Sequence, residues 1–278
     1  MNRIGIIGVG EIGRAIVTGL CDGPDTPPEV YLSPRGARAA AELSERYDTA
    51  HICADNQTVI DHTDMVIIAV RPHDRHDALA GLTVTDDKTI INIMSGVAND
   101  DLRHTLATHA TLVRAIPLPA IRDRDSITVT CPAHPAVDAL FQRLGGCLPV
   151  TDETTFNVFS ALTGTLTTHF QYLATLTSWA SSHGIPPEHA DQYIRSLFHG
   201  LSRALDDNTR TLHQLAADHE TPKATTNASA PPGSPPPTPT PSPQPSTASS
   251  PTSTSPPDHP AGNVNRRRDR VDSRWTPQ

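Results

Sequence analysis

Three glycines near the start of the chain have the spacing of a phosphate cradle. Gly8, Gly10 and Gly13 read G-x-G-x-x-G, directly after the apolar run Ile4–Ile7 and at the head of an amphipathic stretch. In a strand–turn–helix context each glycine has its own task. Gly8 permits the tight turn, Gly10 lets the backbone approach a pyrophosphate, and Gly13 lets helix and strand pack closely. The helix then opens at Glu11 and Ile12, where free N–H groups and a partial positive charge favour an anion. The segment reads as a dinucleotide-binding turn.

The next apolar run selects the dinucleotide. A site for NAD usually ends this second strand in a carboxylate that holds the ribose 2′-hydroxyl. Here Val30-Tyr31-Leu32 is followed by Ser33-Pro34-Arg35. A hydroxyl and a guanidinium stand where the carboxylate would be, and the planar fork of Arg suits phosphate. NADP(H) is therefore expected, with Ser33 and Arg35 on the 2′-phosphate and Arg38 assisting one helical turn later.

Further along, Thr163, Thr165, Thr167 and Thr168 surround Gly164. Their hydroxyls could serve a bound substrate or bond the carbonyls of their own helix, and both readings stay open. His169 adjoins them and reads as packed or solvated. His73 and His76, with Asp74 and Asp77, follow Pro72 at a helix start. That pattern reads as an exposed capping turn, and no metal site is assigned to it.

The elements that must position these groups alternate. Short apolar runs at 4–7, 30–32, 65–70, 89–93, 112–116, 127–130 and 148–150 are separated by amphipathic stretches at 13–20, 35–46, 100–106 and 135–144. Apolar strands between helices predict a doubly wound α/β sheet over residues 1–151. Beyond Thr151 the strand signal stops. Asp152 can cap one helix running through Phe156, Phe159, Leu162, Leu173 and Trp179. Gly184 and Pro186-Pro187 end it and start another through Tyr193, Leu197 and Leu205, and a third stretch spans 211–219. Residues 152–221 thus form a small all-α domain whose apolar stripes need a packing partner.

The chain has 278 residues and a net charge of −8. Residues 231–260 are almost entirely Pro, Ser, Thr and Ala, so 222–278 is expected to be a disordered tail. That tail holds six basic and three acidic side chains, a net of +3, which leaves −11 for the body. An acidic body argues against a nucleic-acid surface. No apolar run approaches the ~20 residues that span a bilayer. Cys21, Cys53, Cys131 and Cys147 show no C-x-x-C pairing. With a strand beginning at once and no leader ahead of it, a soluble cytoplasmic protein is expected.

In order, G-V-G-E-I-G at 8–13, S-P-R at 33–35, Asn56, A-V-R-P at 69–72, M-S-G-V at 94–97, V-R-A-I-P-L-P at 113–119 and A-L-T-G-T at 161–165 resemble pyrroline-5-carboxylate reductases over roughly the first 220 residues. The resemblance implies a Rossmann domain followed by a helical dimerisation domain, with the active site between them. It implies Asn56 near the adenosine ribose. Ala69, Val70, Arg71 and Pro72 would lie along the nicotinamide ribose and pyrophosphate, and Ser95, Gly96 and Pro117 would flank the nicotinamide. The implied activity is NADPH-dependent reduction of a small cyclic imine, with Thr163, Thr165 and Thr226 as substrate contacts and a homodimer as the assembly.

The chain departs from the family in three places. Thr221-Pro222-Lys223-Ala224-Thr225-Thr226 stands where the family has a glycine-containing loop. Leu118 stands where its commonest form has Asn. Pro-rich sequence stands where it has another helix, so a truncated helical domain is expected. Lysine occurs only at Lys88 and Lys223, which excludes the interdomain Lys that β-hydroxyacid dehydrogenases use. Two other readings fit the same turn: a different small-substrate NADP-dependent reductase, such as a deazaflavin-dependent one, or a catalytically silent NADP(H)-binding protein.

Overall fold

Strand β1 (Ile4–Ile7) is buried on both faces, and its alternate side chains enter two different cores. The computed structural model describes residues 3–219. Ile4 and Ile6 pack with Ile16 and Leu20 of α1 (Glu11–Cys21) and with Leu43 of α2 (Ala37–Arg46). Ile7 packs on the other face with Val59 and Ile60 of α3 (Asn56–His62) and Leu79 of α4 (Arg75–Leu79). Period-two alternation between two apolar layers is what a doubly wound sheet requires.

The remaining strands are β2 (Val30–Leu32), β3 (Ala50–Ile52), β4 (Met65–Ile68), β5 (Thr89–Asn92), β6 (Thr111–Ile116), β7 (Thr128–Cys131) and β8 (Cys147–Pro149). Their order in the sheet is β3-β2-β1-β4-β5-β6-β7-β8. The first six are mutually parallel. β7 runs antiparallel to β6, and β8 parallel to β7. The reversal follows from the connections. Only a 3-10 turn (Pro119–Asp123) lies between β6 and β7, too little for the crossover that a parallel neighbour needs. Helix α6 (Pro135–Arg143) supplies that crossover from β7 to β8. α5 (Asn99–Leu106) leads from β5 to β6.

The sheet hands over to helices α7 (Glu153–Thr163), α8 (Thr165–Ser182) and α9 (Pro187–Ala204). The single helix expected from 152 to 179 is broken at Gly164. Glycine has the poorest helix preference after proline, and the hydroxyls on either side bond backwards to carbonyls. Strand β3 was not expected. Its residues, Ala50, His51 and Ile52, are a short half-exposed edge with no apolar run.

The chain divides into two compact units, Met1–Ser202 and a second beginning at Arg203. The change from strands to helices at 151/152 falls inside the first. In the second, α10 (Leu212–Asp218) opens on a reciprocal cap between Thr211 and Gln214. Arg210 pairs with Asp207 at 2.8 Å and Asp218 at 3.0 Å. The expected tail at 222–278 and the loop at 221–226, Thr226 included, lie outside the described residues. Among the described residues no helix is long and apolar enough to cross a membrane.

Asp152 caps α7, accepting the Thr155 N–H at 2.9 Å and the Thr155 hydroxyl at 2.9 Å. These bonds hold its carboxyl below the usual carboxylate range. Asp152→Ala should therefore lower the Tm at neutral pH. Because the folded pKa is the depressed one, the cap's contribution is present above the ordinary carboxylate pKa. It is lost as pH falls through the folded value, which lies below the ordinary one. Melting curves of the two proteins that stay equally separated from pH 7 to pH 3 would refute this.

Candidate functional site

The first half of the site is the turn after β1. Gly8 has φ +99°, and a Cβ there would lie 2.8 Å from the Ala69 carbonyl carbon and oxygen. A Cβ on Gly13 would lie 2.7 Å from the Gly8 oxygen. Around Gly10, by contrast, no atom stands within 4 Å of a Cβ position. One glycine thus makes the turn, another packs helix on strand, and the middle one faces empty space, which is the division of labour a pyrophosphate cradle needs. α1 has no side-chain cap at Gly10, so its first amides are left for a ligand. Glu11 and Ile12 contribute backbone there, since Ile12 turns its side chain to the core.

Gly8, Gly10, Arg35, Ala69, Val70 and Arg71 line a cleft of about 240 Å³ together with Val9, Gly36 and Asp74. It lies at the carboxyl ends of β1, β2 and β4, where open α/β sheets bind ligands. Arg35 reaches it from a loop, because α2 begins only at Ala37. Gly36 (φ +92°) allows that loop to press against the Val9 carbonyl, where a Cβ would sit 2.5 Å away. Arg35 Nη2 stands 3.1 Å from Asp74 Oδ1.

Ser33 is placed differently from the expectation. It is fully buried, and its hydroxyl oxygen accepts the Gly8 N–H at 2.9 Å. It anchors the glycine turn and has no surface with which to meet a 2′-phosphate. Arg38 is 94% exposed and paired with Glu42 at 3.0 Å. Pro72 starts a 3-10 turn (Pro72–Asp74) at the exposed edge of the cleft. Asn56 stands at the first turn of α3 and donates to the Ala78 carbonyl at 2.8 Å.

The second half is a cavity of about 180 Å³ at the ends of β5 and β6, lined by Ser95, Arg114, Pro117, Phe156 and Thr163, among others. That size is below the range of drug-sized sites and suits a small ligand. Buried Asn92 shapes its rim, donating to the Val97 carbonyl at 2.9 Å and accepting the Met94 N–H at 3.1 Å. Gly96 takes φ +72° within this clasp, beside exposed Ser95.

Two of the four threonines around Gly164 bond carbonyls of α7. Thr163 donates to the Ser160 carbonyl at 2.7 Å and Thr165 to the Leu162 carbonyl at 2.6 Å. Their hydroxyl protons are spent inside the helices. Of the two, only Thr163 lines the cavity; Thr165 borders an adjoining apolar groove with Leu148, Leu162 and Leu166, which Thr163 also lines.

Sequence reasoning missed Gly36, Asp74, Asn92 and Arg114 as parts of the site. Gly36 directly follows S-P-R, so its signal was present. Asp74 and Arg114 take their partners from the tertiary fold, whereas Asn92 bonds Met94 and Val97 of the loop that follows it. All four cysteines are unpaired, and burial pushes the thiols of Cys53 and Cys131 up.

A family model described as NADP oxidoreductase, coenzyme F420-dependent, matches residues 3–96. Pyrroline-5-carboxylate reductase 2 of Bacillus subtilis is 24% identical over 239 residues, covering 82% of this chain and 85% of that protein. The pyrroline-5-carboxylate reductase of Corynebacterium melassecola is 24% identical over 244 residues, covering 82% and 89%. Among solved structures, 1-pyrroline-5-carboxylate reductase from Streptococcus pyogenes superposes with a TM-score of 0.67 at 23% identity, covering 82% of this chain and 88% of the other. A reductive aminase from Aspergillus terreus, in complex with NADPH4, superposes with a TM-score of 0.59 at 19% identity, covering 74% and 75%. These likenesses establish the fold.

Proposed function

We infer that this chain is a diverged member of the pyrroline-5-carboxylate reductase family and an oxidoreductase that reduces the C=N bond of a small cyclic imine with NADPH. The observation that carries this reading is a two-part site on one sheet edge. A glycine-turn cleft with Arg35 and Arg71 lies at the ends of β1, β2 and β4, and a small cavity flanked by Ser95 and Pro117 lies at the ends of β5 and β6. The family model ends at residue 96, short of β6 and α7, whereas the reductase relatives extend across both halves.

The residues present fit the cofactor: open amides at the head of α1, the space over Gly10, and a guanidinium where a 2′-phosphate would lie. Bound NADPH supplies a hydride. The protein orients the imine, keeps bulk water away with Ile116, Pro117 and Phe156, and offers no strong acid. None is needed, because a cyclic imine protonated by solvent is already electrophilic. Hydride adds to its carbon and the nitrogen keeps the proton. Residues 1–151 serve as the nucleotide domain and 152–221 as the substrate and dimer domain. The reduced cysteines agree with work in the cytoplasm.

The assembly we propose is a homodimer through α8 and α9. Phe170, Trp179 and Tyr193 are 68%, 63% and 68% exposed, an apolar display that a lone chain rarely carries. The test is oxidation of NADPH by the purified chain with 1-pyrroline-5-carboxylate, beside a cofactor titration and sedimentation velocity. Turnover by a particle of two chains is expected. Cofactor binding with no imine reduction would leave a silent NADP(H)-binding protein, and a single-chain particle would remove the dimer.

A further inference from the structure

An apolar groove of about 390 Å³ runs beside the small cavity. Val129 of β7 and Leu148 of β8 form its sheet wall, and Phe159 and Leu162 of α7 face them. Ile116, Leu118 and Thr163 line both spaces, so groove and cavity adjoin along these three residues. From α8 only the first turn takes part, through Thr165 and Leu166. The exposed aromatics assigned above to the dimer contact lie farther along α8 and on α9. Leu148, Leu162 and Leu166 are 41%, 56% and 44% exposed.

The groove offers a ligand hydrocarbon alone. None of its described lining residues is charged. Thr163 and Thr165 have given their hydroxyl protons to helix carbonyls. Leu118 continues the same chemistry at the step between the two spaces, where the commonest form of the family has Asn. The cavity differs in character, with Ser95, Arg114 and Ser160 in its lining. A ring held there therefore has polar groups around it and, past Leu118, an aliphatic surface beside it. A polar substituent entering the groove would give up water for no partner. An apolar one gains by covering side chains that now stand in water.

We propose that this groove is a substrate subsite, and that the imine reduced in the cavity carries a hydrocarbon arm. The ring lies in the cavity, and the arm passes Leu118 and lies between Leu148 and Leu162. This assignment rests on the imine-reductase reading and adds the arm to its substrate.

The experiment compares 1-pyrrolines carrying methyl or butyl at ring carbon 2 or 5 as substrates of wild type, Leu148→Asp and Leu162→Asp. Binding of the saturated amines, 2-methylpyrrolidine and 2-butylpyrrolidine, is measured calorimetrically with NADP⁺ present. Sedimentation velocity is run on each protein. In wild type the better butyl imine should exceed its methyl counterpart in kcat/KM by roughly thirtyfold, about threefold for each of three methylenes buried. The butyl amine should bind more tightly than the methyl amine by a similar factor. A carboxylate on either wall keeps its water and uncovers the arm, so both ratios should fall to within about threefold of unity. Leu162→Ala trims an exposed side chain and should lower both ratios about threefold, which decides the matter if an Asp variant does not fold. Wild-type ratios near unity, or ratios that persist in the variants, overturn the subsite. Variants that sediment as single chains where wild type is two place a second copy in the groove and also overturn it. If wild type reduces none of the imines, the functional reading fails, while amine binding that favours butyl and loses that preference in the variants still upholds the groove.

Discussion

Gly10→Ala should leave the protein folded and strip it of cofactor, whereas Gly8→Ala should damage both. The two positions lie two residues apart and differ in what surrounds them. At Gly8 the backbone has φ +99°, and a methyl would strike the Ala69 carbonyl at 2.8 Å and the Val70 nitrogen at 2.9 Å. Those are main-chain atoms of a neighbouring strand end and cannot swing aside. Strain of this kind, with the clash added, costs on the order of 3 kcal/mol. That is a Tm loss on the order of 10 °C for a chain of this size. At Gly10 the backbone has φ −92°, an ordinary conformation, and nothing stands within 4 Å. A methyl there costs less than about 1 kcal/mol as a poorer helix cap, but it fills the space that a pyrophosphate needs. NADPH affinity should fall at least about tenfold, the 1.4 kcal/mol equivalent of one charge-assisted hydrogen bond lost. Thermal melts with and without NADPH read both quantities. Wild-type cofactor affinity in Gly10→Ala would mean that the cleft over the glycine turn is not where the dinucleotide lies.

How much of this was legible in the sequence depends on how local the cause is. The glycine turn could be read because strand, turn and helix occupy ten consecutive residues and each glycine answers to its immediate neighbours. β1 and β2 were bounded correctly because their residues are apolar on both faces. β3 was invisible because an edge strand of Ala50, His51 and Ile52 takes its structure from pairing with β2, and its own pattern carries no signal. The reversal at β7 was also hidden, since an apolar run has no direction until the length of its connection is known.

The same distinction separates the site residues. Ser33 and Arg35 are two positions apart, and sequence alone gives both the same task. Only the loop geometry turns the Ser33 hydroxyl inward to Gly8 and leaves Arg35 in the cleft. Arg114 was visible as a letter in a motif. Its burial depends on Glu153 and Asn157, which are 39 and 43 residues away.

Arg35→Asp should reverse the cofactor preference. Arg35 is half exposed and paired with Asp74 across the cleft mouth at 3.1 Å. An exposed pair of this kind is worth no more than about 1 kcal/mol, so an incoming 2′-phosphate can displace it at small cost. The bidentate bond that replaces it is charge-assisted and stronger, at about 1.5–3 kcal/mol per contact. Removing the guanidinium loses that bond, and the new carboxylate repels the phosphate. NADPH affinity should fall by roughly a hundredfold or more. NADH lacks the phosphate and should change by less than about threefold. Asp74→Asn supplies the opposite sign, because Arg35 survives while its competitor loses its charge. NADPH should then tighten a few-fold and NADH stay as it was. Both shifts should shrink in high salt, since the pair stands in solvent. Fluorescence titrations of the two reduced cofactors against the three proteins measure all of this. Equal losses for NADPH and NADH in Arg35→Asp would show that the guanidinium shapes the loop and reads no phosphate.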